Sequence, residues 1–251
     1  MARKTNARQR RGSRVARRGL RRGNDWSIDR IHVSDAVVGP DVRVPALEDV
    51  LRAIENAPRA DDWDAVARLV VPLFPRARPQ PAGVPAPLTA ILPPGVLVGF
   101  GADIGPAFMT LNGPQLELLG VAKADIVAQA LANLLARADK LDGSSIVHGE
   151  IADTPVAMLQ SGVSIGSTLV LAPVQVRRLF GPSPMLFIAP MRDLLIGFPA
   201  DVEIELAAWV FDEFASQDPN CLAPFGFGYD GERLTIAMLG SRMTVPAGRL
   251  A

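Results

Sequence analysis

The sequence predicts an α+β fold: a mostly antiparallel sheet built from successive hairpins, with helices packed on one face and a small helical segment in front of it. Two observations carry this prediction. Short apolar runs recur in pairs around turn residues over positions 96–238, and stretches with helical periodicity separate the pairs. A parallel Rossmann-type sheet is the weaker alternative.

Composition divides the chain into four parts. Residues 1–23 form a basic arm, residues 24–74 hold an extended segment and two helices, residues 75–95 are a connector, and residues 96–251 form the α+β domain. The connector is defined by its prolines, at positions 75, 79, 81, 85, 87, 93 and 94. So many prolines favour a stiff, extended segment with polyproline character, which makes it the best boundary in the chain.

Two helices are predicted ahead of the connector. The first, residues 46–56, follows Pro45 and places four apolar side chains on one face: Leu47, Val50, Leu51 and Ile54. The second, residues 62–71, is expected to be capped by Asp61 or Asp62 and to end at Pro72.

Four hairpins and three helices are predicted in the α+β domain. The paired strands are residues 96–100 with 107–111, 145–150 with 155–160, 185–189 with 194–198, and 224–229 with 233–238. The helices are residues 124–138, 174–180 and 202–215, the last capped by Asp201. Asp230-Gly231 is the strongest turn signal. The helix at 202–215 is apolar nearly all round, which is typical of a core helix; a partner surface or homodimer contact is the alternative.

The basic arm carries ten of the chain's 26 basic residues and no acidic residue: Arg3, Lys4, Arg8, Arg10, Arg11, Arg14, Arg17, Arg18, Arg21 and Arg22. The rest of the chain therefore holds 16 basic against 26 acidic residues, a formal charge of about −10. With so few apolar side chains the arm is expected to be disordered and to bind polyanions, nucleic acid first among them and without sequence preference. A mis-assigned start codon is the alternative origin of the arm.

The composition also excludes several classes of protein. Cys221 is the single cysteine, and His32 and His148 are the only histidines, so one chain cannot assemble a Cys/His zinc centre. No apolar run is long enough to span a bilayer, and the arm lacks the apolar region of a secretory signal. We therefore expect a cytoplasmic protein without a membrane partner, and we assign it no cofactor and no metal.

The five residues from Gly162 to Gly166 match the G-x-S-x-G elbow of serine hydrolases, with Ser164 as the nucleophile. That chemistry needs a base downstream of the serine, and no histidine follows His148. We interpret the motif as loop chemistry. A hydrolase that uses Ser164, or a divalent metal held by carboxylates, is the alternative function.

Two further motifs fail for lack of partners. His148-Gly149-Glu150 has the H-x-E spacing of the zinc deaminases, but those enzymes also need two thiolates, and Cys221 stands alone. Gly99 to Gly105 follows a strand, as a dinucleotide loop does, yet a second strand replaces the helix that would bind the pyrophosphate.

Three segments carry a resemblance to a known family: Ala130 to Leu134, Ala189 to Leu195, and Tyr229-Asp230-Gly231. On these segments the chain, over roughly residues 96–238, is similar to the bacterial YtpQ-like family, whose function is uncharacterised. Its most specific element is Pro-x-Arg-Asp between two strands, with Met191 where the family has a small or polar residue. The resemblance implies a soluble cytoplasmic bacterial protein and transfers no catalytic residue.

Arg192 and Asp193 are the candidate binding residues, because they lie at a hairpin turn on a rigid sheet. The structural interpretation is that Asp193 accepts backbone N–H groups in the turn while Arg192 covers neighbouring strands. The functional one is that Asp193 holds Arg192 for a carboxylate or phosphate of a partner. Taken together, the sequence favours a non-enzymatic interaction module that binds an unidentified protein partner, with an arm that binds nucleic acid.

Overall fold

The computed structural model describes residues 47–59, 61–77, 82–161, 165–217 and 221–239, together with the backbone of Ile31 and His32. The basic arm, Ser164 and most of the extended segment lie outside the described residues. The strands are β1 (Ile31–His32), β2 (Val70–Leu73), β3 (Thr89–Leu92), β4 (Val96–Asp103), β5 (Phe108–Thr110), β6 (Ile146–Ile151), β7 (Thr154–Gln160), β8 (Met185–Met191), β9 (Leu194–Pro199), β10 (Phe225–Tyr229) and β11 (Leu234–Met238).

The helices are α1 (Leu47–Glu55), α2 (Trp63–Ala67), α3 (Gly113–Leu119), α4 (Lys123–Ala138), α5 (Pro173–Phe180) and α6 (Ile204–Ala215), with 3-10 helices at Gly143–Ser145 and Ser167–Leu171. The predicted α+β fold is confirmed, as is the short helical segment on its N-terminal side. The apolar periodicity of residues 124–138 locates α4 to within one residue.

Two antiparallel sheets organise the strands. The larger sheet, here called sheet A, has seven strands in the order β1-β6-β7-β9-β8-β10-β11. The smaller sheet, sheet B, has the order β2-β4-β3, and β5 pairs with the C-terminal half of β4. In sheet A the predicted hairpins β6–β7, β8–β9 and β10–β11 are confirmed, each joined by hydrogen bonds between neighbouring strands.

Both faces of sheet A are covered by apolar side chains. One face packs against α6 through a cluster that includes Ile196 and Phe211. The other contributes side chains such as Phe187 to a larger cluster shared with α4, α5 and the inner face of sheet B. Helix α6 buries five apolar side chains that lie around it, so these side chains belong to the core: Leu206, Ala207, Trp209, Val210 and Phe211.

Two short strands occur where the sequence predicted other structure. The predicted helix at 62–71 ends at Ala67, and Val70–Leu73 forms β2 instead. The β-branched pair Val70-Val71 favours a strand, and Pro72 is tolerated because β2 lies at the edge of sheet B. The connector similarly contains β3, which pairs with β4, so hydrogen bonds join the segments on either side of the prolines.

Of the two predicted helix caps, the one at α2 is confirmed and the one at α6 is wrong. Asp62 caps α2, because its side chain accepts a hydrogen bond from the Ala65 N–H at 3.1 Å. Asp201 does not cap α6: that helix begins later, and Glu203 is its N-cap residue without a side-chain cap bond. The Asp230 turn is confirmed, since its carboxylate accepts the N–H groups of Glu232 and Arg233.

Candidate functional site

The turn between β8 and β9 consists of Arg192 and Asp193, the two predicted binding residues. Both side chains are half-buried. The Asp193 carboxylate accepts a short hydrogen bond from the Ser161 hydroxyl and a second from the Gly166 N–H at 3.2 Å. The Ser167 N–H donates to the Arg192 carbonyl at 2.9 Å. The turn is therefore held by the segment that follows β7.

Gly166 lies against this turn so closely that it has no room for a side chain. A Cβ atom at this position would lie 2.6 Å from the carbonyl carbon of Asp193 and 2.7 Å from its oxygen. Real Cβ atoms do not approach backbone this closely, so packing requires glycine here. Close packing therefore explains why the last residue of the G-x-S-x-G motif is glycine, and this explanation does not require Ser164 to be a nucleophile.

The surroundings of the motif also differ from a nucleophile elbow. That elbow places its serine on a turn between a strand and an α-helix. Here β7 precedes the motif as expected, but the 3-10 helix Ser167–Leu171 follows it, ahead of α5. Ser164 lies outside the described residues, so its role as a nucleophile stays a prediction.

Arg192 extends from the turn of sheet A toward sheet B. Its guanidinium carbon lies 4.4 Å from the centre of the Phe108 ring, on β5. A guanidinium over an aromatic face is attracted by the ring quadrupole, by about 0.5–1 kcal/mol at exposed sites and more where water is excluded. Arg192 thus makes a contact between the two sheets, and its role in binding a partner stays a prediction.

The other polar candidates are dispersed over the fold. His148 and Glu150 are exposed on β6, and Cys221 is half-buried and far along the chain, beside the backbone of Ala77. Within the described ranges, no group of three or more His, Cys, Asp or Glu side chains could hold a metal ion. No single helix among the same residues is long and apolar enough to cross a membrane, although the bent pair α3 and α4 meets the criteria of length and composition.

Helix α1 exposes its apolar face. The sequence predicts the face but could not show that it is exposed. Leu47 is 73% exposed, Leu51 50% and Ile54 53%, and none of the helix's residues is buried. These positions and Val50 recur at intervals of three and four residues, so they form one stripe along the helix. A stripe of this kind normally packs on a core. We call it the α1 stripe.

Carboxylates flank one edge of the α1 stripe. At about 100° per residue, Glu48 and Glu55 lie within roughly 20° of each other, next to Leu51. Arg52 lies about 40° beyond Glu48, further from the stripe, and pairs with Asp49 at 3.9 Å. The edge that borders the stripe is therefore acidic.

Two grooves on the described surface are also acidic. The first is lined by residues around the start of α2: Arg59, Asp61, Asp62, Trp63 and Asp64. Arg59 pairs there with Asp61, and this contact lowers the pKa of the Asp61 carboxyl. The second lies between the β6–β7 turn and the start of α6, and its lining includes Asp153, Asp201 and Glu203.

No family model, no curated protein and no solved structure matches this chain. The similarity to the YtpQ-like family therefore stays a prediction that rests on the three segments named above.

Proposed function

We propose that the protein is a non-enzymatic interaction module that binds a protein partner through the α1 stripe and binds nucleic acid, without sequence preference, through its basic arm. The observation that carries the first part is the exposure of Leu47, Leu51 and Ile54 on a helix with no buried residue. Burial of a fully exposed leucine or isoleucine is worth about 1.5–3 kcal/mol, and a partner surface would supply the half to three-quarters of that burial which these side chains lack.

The spacing of the α1 stripe suggests how the partner binds it. Amphipathic helices that lie in a groove present anchors at positions i, i+3, i+4 and i+7, which here are Leu47, Val50, Leu51 and Ile54. A helix of nine residues is shorter than the roughly 20–30 residues that each side of a standard interface contributes. The partner should therefore enclose the helix in a groove rather than meet it on a flat surface.

The carboxylates beside the α1 stripe indicate which side chains should surround the partner's groove. Glu48 and Glu55 border the stripe, so a groove rimmed by lysine or arginine would complement it. A second copy fits poorly, because two antiparallel copies of α1 would bring these four carboxylates together. The chain's own described grooves are acidic as well, which disfavours α1 as their occupant.

A matched pair of variants tests the protein-binding part. Leu51→Lys in α1 should abolish specific capture of a partner from the source cell, while Val174→Lys, at an equally apolar site of α5 that is 73% exposed, should leave capture unchanged. Because both side chains are exposed, each variant should change the free energy of unfolding by less than about 0.5 kcal/mol. Equal capture by the two variants would remove α1 as the docking surface.

The alternative, a hydrolase, has less support. The Asp193 carboxylate of the turn already accepts hydrogen bonds from the Ser161 hydroxyl and the Gly166 N–H, and no carboxylate cluster suited to a metal occurs among the described residues. Ser164 would require a base from elsewhere in the chain, since no histidine follows it.

A further inference from the structure

The groove between the β6–β7 turn and the start of α6 combines an apolar lining with acidic groups, and we call it the acidic groove. Its apolar lining comes from Pro155, Pro199, Val202 and Leu206. Three exposed carboxylates, those of Asp153, Asp201 and Glu203, also line it, and no lysine or arginine is among the described residues of the lining. A segment rich in arginine would complement this surface, because arginine stems pack on apolar groups while the guanidinium pairs with carboxylate.

The register of β1 places Ile31 close to this groove. Strand β1 pairs antiparallel with β6, with Ile31 opposite Ile151 and His32 opposite Glu150. In an antiparallel pair the two chains run in opposite directions. Ile31, the first residue of β1, therefore lies at the end of β6 that leads into the turn of Ala152 and Asp153, and Asp153 lines the acidic groove.

The basic arm is close enough to reach the groove. Arg22 precedes Ile31 by nine residues, a span of at most about 30 Å when fully extended. All ten of the arm's charged side chains are cationic, whereas the remainder of the chain has a formal charge of about −10. Proximity and opposite charge both favour the arm as the occupant.

We propose that the acidic groove binds residues 1–23 of its own chain and that a polyanion competes with the groove for this arm. The competition rests on the nucleic-acid affinity proposed above; the contact between arm and groove does not. A bound arm is unavailable to phosphates, so the apparent dissociation constant for nucleic acid rises in inverse proportion to the free fraction. An arm that is bound about nine-tenths of the time weakens nucleic-acid binding about tenfold.

Paramagnetic relaxation tests the contact directly. A nitroxide on Ser13→Cys in the full chain, with Cys221→Ser to remove the native thiol, should broaden the amide signals of residues 152–154 and 200–206. Salt at 0.5 M should abolish the broadening, because screening at that concentration suppresses contacts between exposed charges. Broadening spread evenly over the acidic surface, or absent at these residues, would overturn the proposal.

Neutral variants then test the role of the carboxylates. The triple variant Asp153→Asn, Asp201→Asn, Glu203→Gln should lose the broadening. A control with the same change in charge, Glu117→Gln, Asp139→Asn, Glu232→Gln, should keep it, since these three exposed carboxylates line neither the groove nor the α1 stripe. If the two triple variants behave alike, attraction to overall charge replaces the groove as the explanation.

Competition is measured with single-stranded DNA of 20 nucleotides. The groove variant should bind it several-fold to about tenfold more tightly than the control variant at low salt. Equal affinity overturns the competition. If neither binds DNA while the label still broadens the groove residues, the contact stands and it is the proposed nucleic-acid function that fails.

Discussion

Gly166 packs directly on the backbone of Asp193, 27 residues further along the chain, at a distance that excludes a Cβ atom. Gly166→Ala should therefore destabilise the protein by about 1–3 kcal/mol, the usual cost of forcing an extra methyl group into packed surroundings. Gly143→Ala is the control, because a Cβ atom there meets nothing within 4 Å and its φ is not positive. Urea unfolding of both variants should show the difference; equal midpoints would contradict it.

Short-range patterns explain how much of this fold was predictable. The hairpins of sheet A and helix α4 are local structures, whose alternation or 3.6-residue period is visible in the sequence. Strands β2 and β3 were missed because each has only four residues and lies beside prolines. The prolines disfavour a strand at these positions, whereas pairing with a neighbouring strand favours one. Pairing with β4 decided the outcome, and that contact is not local.

The candidate site was less predictable for the same physical reason. Proline, arginine and aspartate at 190–193 identified a hairpin turn correctly, but not that Ser161 and Gly166 would hold it or that Arg192 would lie over Phe108. The apolar face of α1 was visible in the sequence, whereas its exposure depends on where the other elements lie. A glycine in a loop likewise gives no sign of whether it serves a turn or a close approach.

Asn133 should contribute more to stability than its partly exposed position on α4 suggests. Its amide donates to the Ala67 and Val70 carbonyls at 2.7 and 2.8 Å, at the junction of α2 and β2, and its oxygen accepts from Gln129. Asn133→Ala removes the side-chain amide that donates to these two backbone carbonyls, so it should lower the free energy of unfolding by about 1–3 kcal/mol. Gln129→Ala, which breaks a single side-chain bond, should cost less than about 1 kcal/mol in the same denaturation experiment.

The Asp230 turn should make stability depend on pH in the acid range. Hydrogen bonds from the Arg233 and Glu232 N–H groups lower the pKa of Asp230 below its usual value of 3.8. A pKa lowered by folding gives stabilisation that is present above the unfolded pKa and lost as the pH falls through the folded one.

The free energy of unfolding of the native protein should thus exceed that of Asp230→Ala by a constant amount between pH 5 and 7. The difference should shrink as the pH falls below about 3.8. A difference that is unchanged down to pH 2 would show that the charge of Asp230 has no part in stabilising the hairpin.

A fluorophosphonate probe, which reacts with activated serines, should not label the protein. The physical reason is that an unactivated hydroxyl is a poor nucleophile, and no histidine lies downstream of Ser164 to act as its base. Labelling that Ser164→Ala removes, and that Ser13→Ala does not, would bring the hydrolase ahead of the interaction module.

Nucleic-acid binding by the basic arm should depend steeply on salt. Each phosphate that an arginine or lysine neutralises releases condensed counterions, so log affinity falls against log salt by about 0.7 per contact on single strands and about 0.9 on duplex. The arm has no aromatic side chain to stack on bases, so homopolymers and mixed sequences should bind alike.

The measurement compares the full chain with a chain that begins at Asn24, by fluorescence anisotropy at several salt concentrations. With roughly six phosphate contacts, the full chain should lose about three decades of affinity for duplex between 50 and 200 mM salt. The shorter chain should not bind, because its formal charge of about −10 repels phosphate. Equal binding by both chains would move the nucleic-acid surface onto the folded body, and no binding by the full chain at low salt would leave the arm without this role.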